Sequence, residues 1–284
     1  MIPSLPRPWT QRVGLNAYAL LFFVFLFVPL VVVAVFAFND APYPTPPWQG
    51  FTLDWFLADT DERTGLLRDG ELLQSLATSA WVALWVTVLS VGVGTCNAFL
   101  LERFEFPGKQ ALALLSMLPL VIPGVILGIS ILAFASRIAN FADETFGLEL
   151  DWLRPGLPLV VLGQFCYIVT IATLTISASL RRFDRTLEEA ALNLGASRWG
   201  VLRTVTLPYL RPSLIGAAAM AFLMSFENFN TTLMLVGSDP PLTVLMYSRM
   251  REGATPVLNA ISLFLMVGSA LLALLLLWRK PERP

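Results

Sequence analysis

The chain has 284 residues, 56% of them hydrophobic and only 14% charged, with mean hydropathy +0.69 and net charge −1. Soluble domains carry about 25% charged residues, so the deficit points to a membrane protein, and the near-zero net charge gives no basic field for nucleic acid. The absence of histidine excludes histidine acid–base catalysis, Ser-His-Asp triads and histidine metal sites, while Cys96 and Cys166 lie in apolar runs and read as small buried hydrophobes, not as a disulfide or zinc framework.

A membrane-crossing helix needs about 20 mostly apolar residues. Charge-poor runs place six such spans at about 14–38, 72–101, 111–136, 156–180, 212–236 and 256–278. The first follows Arg7 and Arg12 and is longer than a signal-peptide core; it reads as a retained helix. The segment 39–71 carries Asp40, Asp54, Asp59, Asp61, Glu62, Asp69 and Glu71, with prolines at 42, 44, 46 and 47. It is expected to be a solvated, extended or polyproline loop, or a contact for an external partner. Trp81 and Trp85 in the second span, like Trp152 and Trp278, fit interface anchoring or lipid packing.

In the third span, Pro119 and Pro123 predict a kink. Gly124 and Gly128 form a G-x-x-x-G that predicts close helix packing. Gln164 and Tyr167, beside Cys166 in the fourth span, are polar enough to line a cavity.

Segment 181–211 is the most arginine-rich stretch. Asp184 or Thr186 is positioned to cap a helix starting near Leu187, and Thr186 with Glu189 fits a capping box. Gly195 fits a left-handed C-terminal cap. A second short helix begins at Ser197, and Leu207-Pro208 is expected to end it, because the residue before proline disfavours the α region. By itself this pattern reads either as an amphipathic pair at the membrane surface or as a docking element for a soluble protein.

In the fifth span Glu227 lies about 22 Å from Pro212 at the helical rise. A carboxylate at the centre of a span costs roughly 2.5–3.5 kcal/mol on insertion scales, and an intramembrane ionisable group is a functional-site hypothesis by default. Asn228, Asn230, Thr231 and Thr232 follow it. Putting the N-terminus inside leaves thirteen Lys and Arg in inner segments and six in outer ones, so both termini are expected in the cytoplasm. The expected organisation is a cytoplasmic segment 1–12 followed by one transmembrane domain, 13–284, with 39–71 outside and 181–211 inside.

Glu189, Ala190, Ala191, Gly195, Val205, Leu207 and Pro208 reproduce, with its spacing, the EAA loop of ABC importer permeases. The stretches WQGFTLDWF, RFEFPGKQ, PGVILGIS and TPVLNAIS extend the resemblance over most of the chain, to the spermidine/putrescine type of binding-protein-dependent permease. The resemblance implies an all-α, six-helix, type I importer (MetI-like) fold in a bacterial inner membrane. It implies one of two different permease subunits, served by two copies of a cytoplasmic ATPase and by a periplasmic substrate-binding protein. The EAA loop would be the ATPase-coupling element, with Glu189 orienting the turn or pairing with an ATPase arginine. No catalytic residue, metal or cofactor is expected on this chain; ATP and Mg belong to the partner ATPase. The only Gly-Lys, Gly108-Lys109, is followed by Gln110 and makes no phosphate loop.

The solute implied is a polyamine, with Glu227, Asn228, Asn230, Tyr167 and Gln164 along its path. The chain departs from the polyamine pattern at Glu227-Asn228, where a second acid is common, and at Pro123-Gly124, where an aspartate is common. Those departures leave room for a smaller or less charged solute on the same architecture. A self-sufficient channel or carrier is the reading from another class, and it would need internal repeats or several ionisable groups in the spans; a membrane-embedded enzyme would need a cluster of intramembrane nucleophiles or metal ligands.

Overall fold

A computed structural model describes residues 9–60, 63–253 and 255–278. Among them there is no strand, only the isolated antiparallel bridges Asn39–Phe51 and Asp59–Thr64 in a helical chain. Arg7, Arg279, Lys280 and Arg283, four of the inner charges used above, lie outside the described residues, as do Asp61 and Glu62. The chain groups into two compact units: the described residues up to Leu73 with those from Ser248 on, and Gln74–Tyr247.

The first unit holds α1 (Trp9–Phe36), α2 (Asp54–Leu57) and α12 (Val257–Trp278). Over Val13–Phe36 α1 has no charge and no buried residue in its most apolar window. A helix that is apolar all round and bare on the protein side is solvated by lipid tails. It packs against α12.

The acidic segment after α1 is not an open solvated loop. Phe38 stacks on Phe51 and Phe56, with centroids 5.3 and 5.2 Å apart. The buried Trp55 donates its indole N–H to the Asn39 carbonyl at 2.8 Å, and Arg63 lies 5.1 Å over the Trp55 ring while pairing with Asp40 at 2.5 Å. These aromatic side chains give the segment an apolar core, which its count of acids and prolines hid. Arg249 donates to Asp69 and, at 2.5 Å, to Glu71. Burial pushes the Asp69 carboxyl up, but the Arg249 guanidinium and the Leu72 N–H outweigh it and hold the group below the usual carboxylate range.

The second unit holds most of α3 (Gly70–Arg103), then α4 (Lys109–Val121), α5 (Gly124–Phe146), α6 (Leu157–Arg182), α7 (Thr186–Asn193), α8 (Arg198–Val201), α9 (Leu207–Phe226), α10 (Asn230–Leu235) and most of α11 (Leu242–Glu252). The most buried helix is α6, packed against α4, α5, α9 and α10. Its Leu159, Val160 and Ile168 join Val82, Val86, Ala135, Ala139 and Leu235 in one cluster. Its Ala172, Ile176 and Leu180 join Ala98, Leu210 and Ala217 in another. Lipid tails are as apolar as leucine, so close backbone approach, not burial from water, holds such helices together. Thus a Cβ on Gly94 would stand 3.0 Å from the Ala172 Cβ, and one on Gly128 would stand 2.9 Å from the Met234 Cβ. The G-x-x-x-G of α5 is a packing seam for α10.

Five described stretches are long and apolar enough to cross a membrane: Val13–Phe36, Gly70–Arg103, Gly124–Phe146, Leu157–Arg182 and Arg198–Phe226. The 22-residue α12 falls on the expected sixth span. The expected third span, 111–136, is broken instead of kinked: Pro119 sits inside α4, but Ile122, before Pro123, is extended (φ −77°, ψ 128°), and α5 starts afresh at Gly124. The expected fifth span, 212–236, begins earlier and ends at Phe226. The Leu207-Pro208 stop does not occur: a π-helical turn, Leu202–Thr206, joins α8 to α9, and Pro208 falls in the first turn of α9, where its missing N–H costs least. Helix α11 carries no strong apolar period and was not anticipated. Cys96 and Cys166 are exposed on the chain surface, not buried.

Candidate functional site

Two places collect the residues singled out in the sequence. The first is the loop containing α7 and α8. Asp184 accepts the Thr186 N–H at 3.0 Å, and that contact holds its carboxyl below the usual range. Asp184 therefore starts the helix, and Thr186 is its first residue. The Thr186–Glu189 capping box does not form; Glu189 is exposed, and its carboxylate makes no hydrogen bond or ion pair with a described residue. Gly195 has φ +87°, its N–H donates to Leu192, and the Ala196 N–H donates to Ala191 at 3.1 Å, a Schellman ending. Nothing lies within 4 Å of a Cβ placed on Gly195, so glycine is required there for its backbone angle and not for room. Ser197 then accepts the Gly200 N–H at 3.1 Å and starts α8.

The acid that anchors this loop is Glu188, which sequence reasoning passed over. Its Oε1 accepts from Arg103 at 3.0 Å and from the Thr206 hydroxyl at 2.5 Å. Arg103 also lies 5.4 Å over the Phe183 ring, Arg181 pairs with Glu102 at 2.9 Å, and Arg185 donates to the Glu102 carbonyl at 2.9 Å. The end of α3 is thus riveted to both flanks of the loop. With the inner side held, Leu187, Leu192, Leu194 and Trp199 are turned outward, Leu194 with 89% of its surface exposed and Trp199 with 69%. Ala190 is exposed, Ala191, Val205 and Leu207 are half-buried, and Pro208 is exposed. These four apolar side chains are thus exposed on a loop whose charged groups tie it to α3.

The second place is the break between α9 and α10. Glu227 ends α9 and its residue is exposed, as is Asn230. Asn228, half-buried, is held at every polar side-chain atom. Its Oδ1 accepts from the Thr232 N–H at 3.2 Å and hydroxyl at 2.8 Å, and its Nδ2 donates to the Tyr167 hydroxyl at 2.6 Å. Its carbonyl accepts from the Thr243 hydroxyl at 2.9 Å. Gln164, 1% exposed, donates to the Thr232 hydroxyl at 2.8 Å and accepts from Ser225. Gln164 is therefore closed off as a structural tie across the break, whereas Glu227 and Asn230 are exposed and Tyr167 is half-buried against the core. A single buried glutamine in an apolar helix gave no pattern from which this tie could be read.

Comparison with known proteins follows the same lines. A family model described as "Binding-protein-dependent transport system inner membrane component" matches residues 90–279. The chain is 28% identical to the putrescine transport system permease protein PotI of Escherichia coli (strain K12) over 263 residues, covering 92% of this chain and 86% of that one. It is 27% identical to the spermidine/putrescine transport system permease protein PotC of Haemophilus influenzae over 261 residues, covering 92% and 93%. A solved structure of a bacterial alginate ABC transporter, in complex with an alginate pentasaccharide-bound periplasmic protein, has a chain that superposes with TM-score 0.74 at 17% identity, covering 94% and 92%.

Proposed function

Since this chain belongs to the family of inner membrane components of binding-protein-dependent transport systems, we propose that it is one of two permease subunits of an ATP-driven importer for small aliphatic amines of the polyamine class. The observation that carries the coupling role is the outward apolar patch of Leu187, Leu192, Leu194 and Trp199 on a loop riveted to α3 through Glu188. A cytoplasmic ATPase docks there, using the EAA-loop frame of Glu189, Ala190, Ala191, Gly195, Val205, Leu207 and Pro208. ATP and Mg belong to that partner. The excess of Lys and Arg on the same side of the spans supports an inner location for this loop and for both termini. A periplasmic binding protein delivers the solute from the other side of the membrane.

The solute class is supported by the two polyamine permeases to which the chain is similar over most of its length, and by Glu227. An exposed carboxylate at a helix break, beside the negative end of the α9 dipole, is suited to an ammonium group and unsuited to an anion. The test is purification of the tagged chain from its native membrane in mild detergent, as wild type and as Gly195→Asp. The wild type is expected to bring down an ATPase and a second permease. The variant, which puts a side chain at φ +87°, is expected to lose the ATPase or its solute-stimulated hydrolysis. A wild-type chain that comes down alone, under conditions that preserve such complexes, would sink the reading.

A further inference from the structure

Outside the two places described above, a cavity of about 240 Å³ opens between α4 and α6, beside the end of α3. Drug-sized sites measure roughly 300–1,000 Å³, so an occupant here is small. Thr170, Thr173, Ser177 and Arg181 line its α6 side. Spaced three and four apart, they share one face of the helix, and that face runs about 16 Å inward from Arg181. Met117 and Leu174 supply apolar wall.

The interior and the mouth differ in chemistry. Inside, the Thr170 hydroxyl donates to the Ser116 carbonyl at 2.6 Å, that of Thr173 to the Val169 carbonyl at 2.8 Å, and that of Ser116 to the Ala113 carbonyl at 2.8 Å. Each has spent its one hydrogen, so the oxygens left to the cavity can only accept. Ser177 is 4% exposed, and its hydroxyl makes no hydrogen bond with a described residue. It lines the cavity and is not sealed in, as the unpartnered Ser90 hydroxyl is. At the mouth both cations are already held, Lys109 by Glu105 at 2.7 Å and Arg181 by Glu102 at 2.9 Å. Arg181 meets only one oxygen of Glu102, and the other has no partner among the described residues. The Arg181 side chain is 70% exposed and that of Glu102 15%. The acid therefore belongs to the cavity, and the arginine loses little by leaving for water.

We propose that this cavity is a further binding site of the chain, for a short aliphatic diamine. One ammonium group, which can only donate, meets the hydroxyl oxygens of Thr170, Thr173 and Ser177. The methylenes lie against Met117 and Leu174. The second ammonium takes Glu102 in place of Arg181. A carboxylate or phosphate pushed into the same interior would find only the Ser177 hydroxyl able to donate to it. The inference rests on the reading of the solute as an amine for its choice of ligand, and on the cavity itself for its polarity. The amine can be solute in transit or amine already present on the side of the α7–α8 loop; the chemistry of the site is the same for both.

The experiment uses the complete importer in lipid nanodiscs, with Ala113→Cys as a reporter on the cavity wall. Alkylation by a neutral maleimide is followed by mass spectrometry of the peptide containing residue 113, which separates it from Cys96 and Cys166. Putrescine, 1,4-butanediol and succinate, each with a four-carbon chain, are compared as protectants. Putrescine is expected to slow alkylation and the other two to leave it unchanged. Glu102→Gln is expected to raise the putrescine concentration for half-protection about tenfold, the scale of one charge-assisted contact. Ser177→Ala is expected to raise it severalfold; its hydroxyl ties nothing within the chain, so this variant decides the matter if Glu102→Gln does not assemble. Protection without the binding protein marks amine reaching the cavity from the loop side, and protection only with binding protein and ATP marks solute in transit; each upholds the site. No protection by putrescine, equal protection by all three compounds, or half-protection unchanged in both variants would overturn it. Putrescine uptake by the same importer in proteoliposomes reads the solute class separately. Uptake without protection removes this site and leaves the amine reading, whereas protection without uptake leaves the site and removes that reading.

Discussion

At the scale of single residues, the contacts that matter are those that cannot be replaced by a neighbour. A Cβ on Gly65 would lie 2.6–2.7 Å from backbone atoms of Asp54, Leu57 and Ala58, whereas one on Gly14 would meet nothing. Backbone cannot swing aside as a side chain can. Gly65→Ala is therefore expected to cost at least about 3 kcal/mol, the upper end for overpacking, and Gly14→Ala to be neutral or slightly stabilising. Thermal unfolding in detergent, run side by side, checks the contrast. Gln164→Leu keeps the volume but removes the acceptor of Ser225 and the donor to Thr232. A loss of about 1–2 kcal/mol is expected, since a buried polar group left unpaired costs more than a pair contributes. A variant as stable as the wild type would show that the break does not need its tie.

At the scale of elements, the loop of α7 and α8 behaves as a bracket bolted to α3. Glu188 reaches Arg103, 85 residues away in the chain, and Thr206 with one oxygen. Charge-assisted bonds are about twice as strong as neutral ones, so Glu188→Gln is expected to loosen the loop by about 1–2 kcal/mol. The expected readout is reduced solute-stimulated ATP hydrolysis in the reconstituted importer with the complex still assembled, because the outward patch remains. Glu189→Gln, which breaks no contact within the chain, should leave the melting temperature of the isolated subunit unchanged. A drop in stability on that substitution would contradict the division of labour between the two glutamates.

At the scale of the whole molecule, each unit is closed by long-range contacts. In the first, Arg249 joins Asp69 across 180 residues. The Asp69 carboxyl has a lower pKa folded than unfolded, so its contribution is fully present above the ordinary aspartate value, about 3.9, and is lost as pH falls through the folded value. Neutral pH and pH 5 should therefore give similar stability of this contact. Asp69→Asn should lower the melting temperature at pH 7 and remove part of the further decline below about pH 4. An equal deficit at pH 7 and well below pH 4 would show that the ion pair is not what the substitution removed.

What was legible from the chain alone was local or compositional. Hydropathy placed α1, α6 and α12 because a lipid-solvated helix needs an apolar run whatever its neighbours do. The turn at Gly195 and the cap at Ser197 were readable because each is settled within about four residues. The EAA motif of ABC importer permeases was legible for the same reason, being a fixed spacing on one loop. Tertiary structure decided which side chains those elements bring together. Glu188 and Glu189 look alike in sequence; only the end of α3 separates the anchored one from the free one. Pro123 breaks its span and Pro208 does not, because α5 restarts against α10 while a π turn absorbs the second proline. The orientation of Asn228 depends on Tyr167, 61 residues earlier, and the sequence holds no record of such a distance; folding creates the pairing.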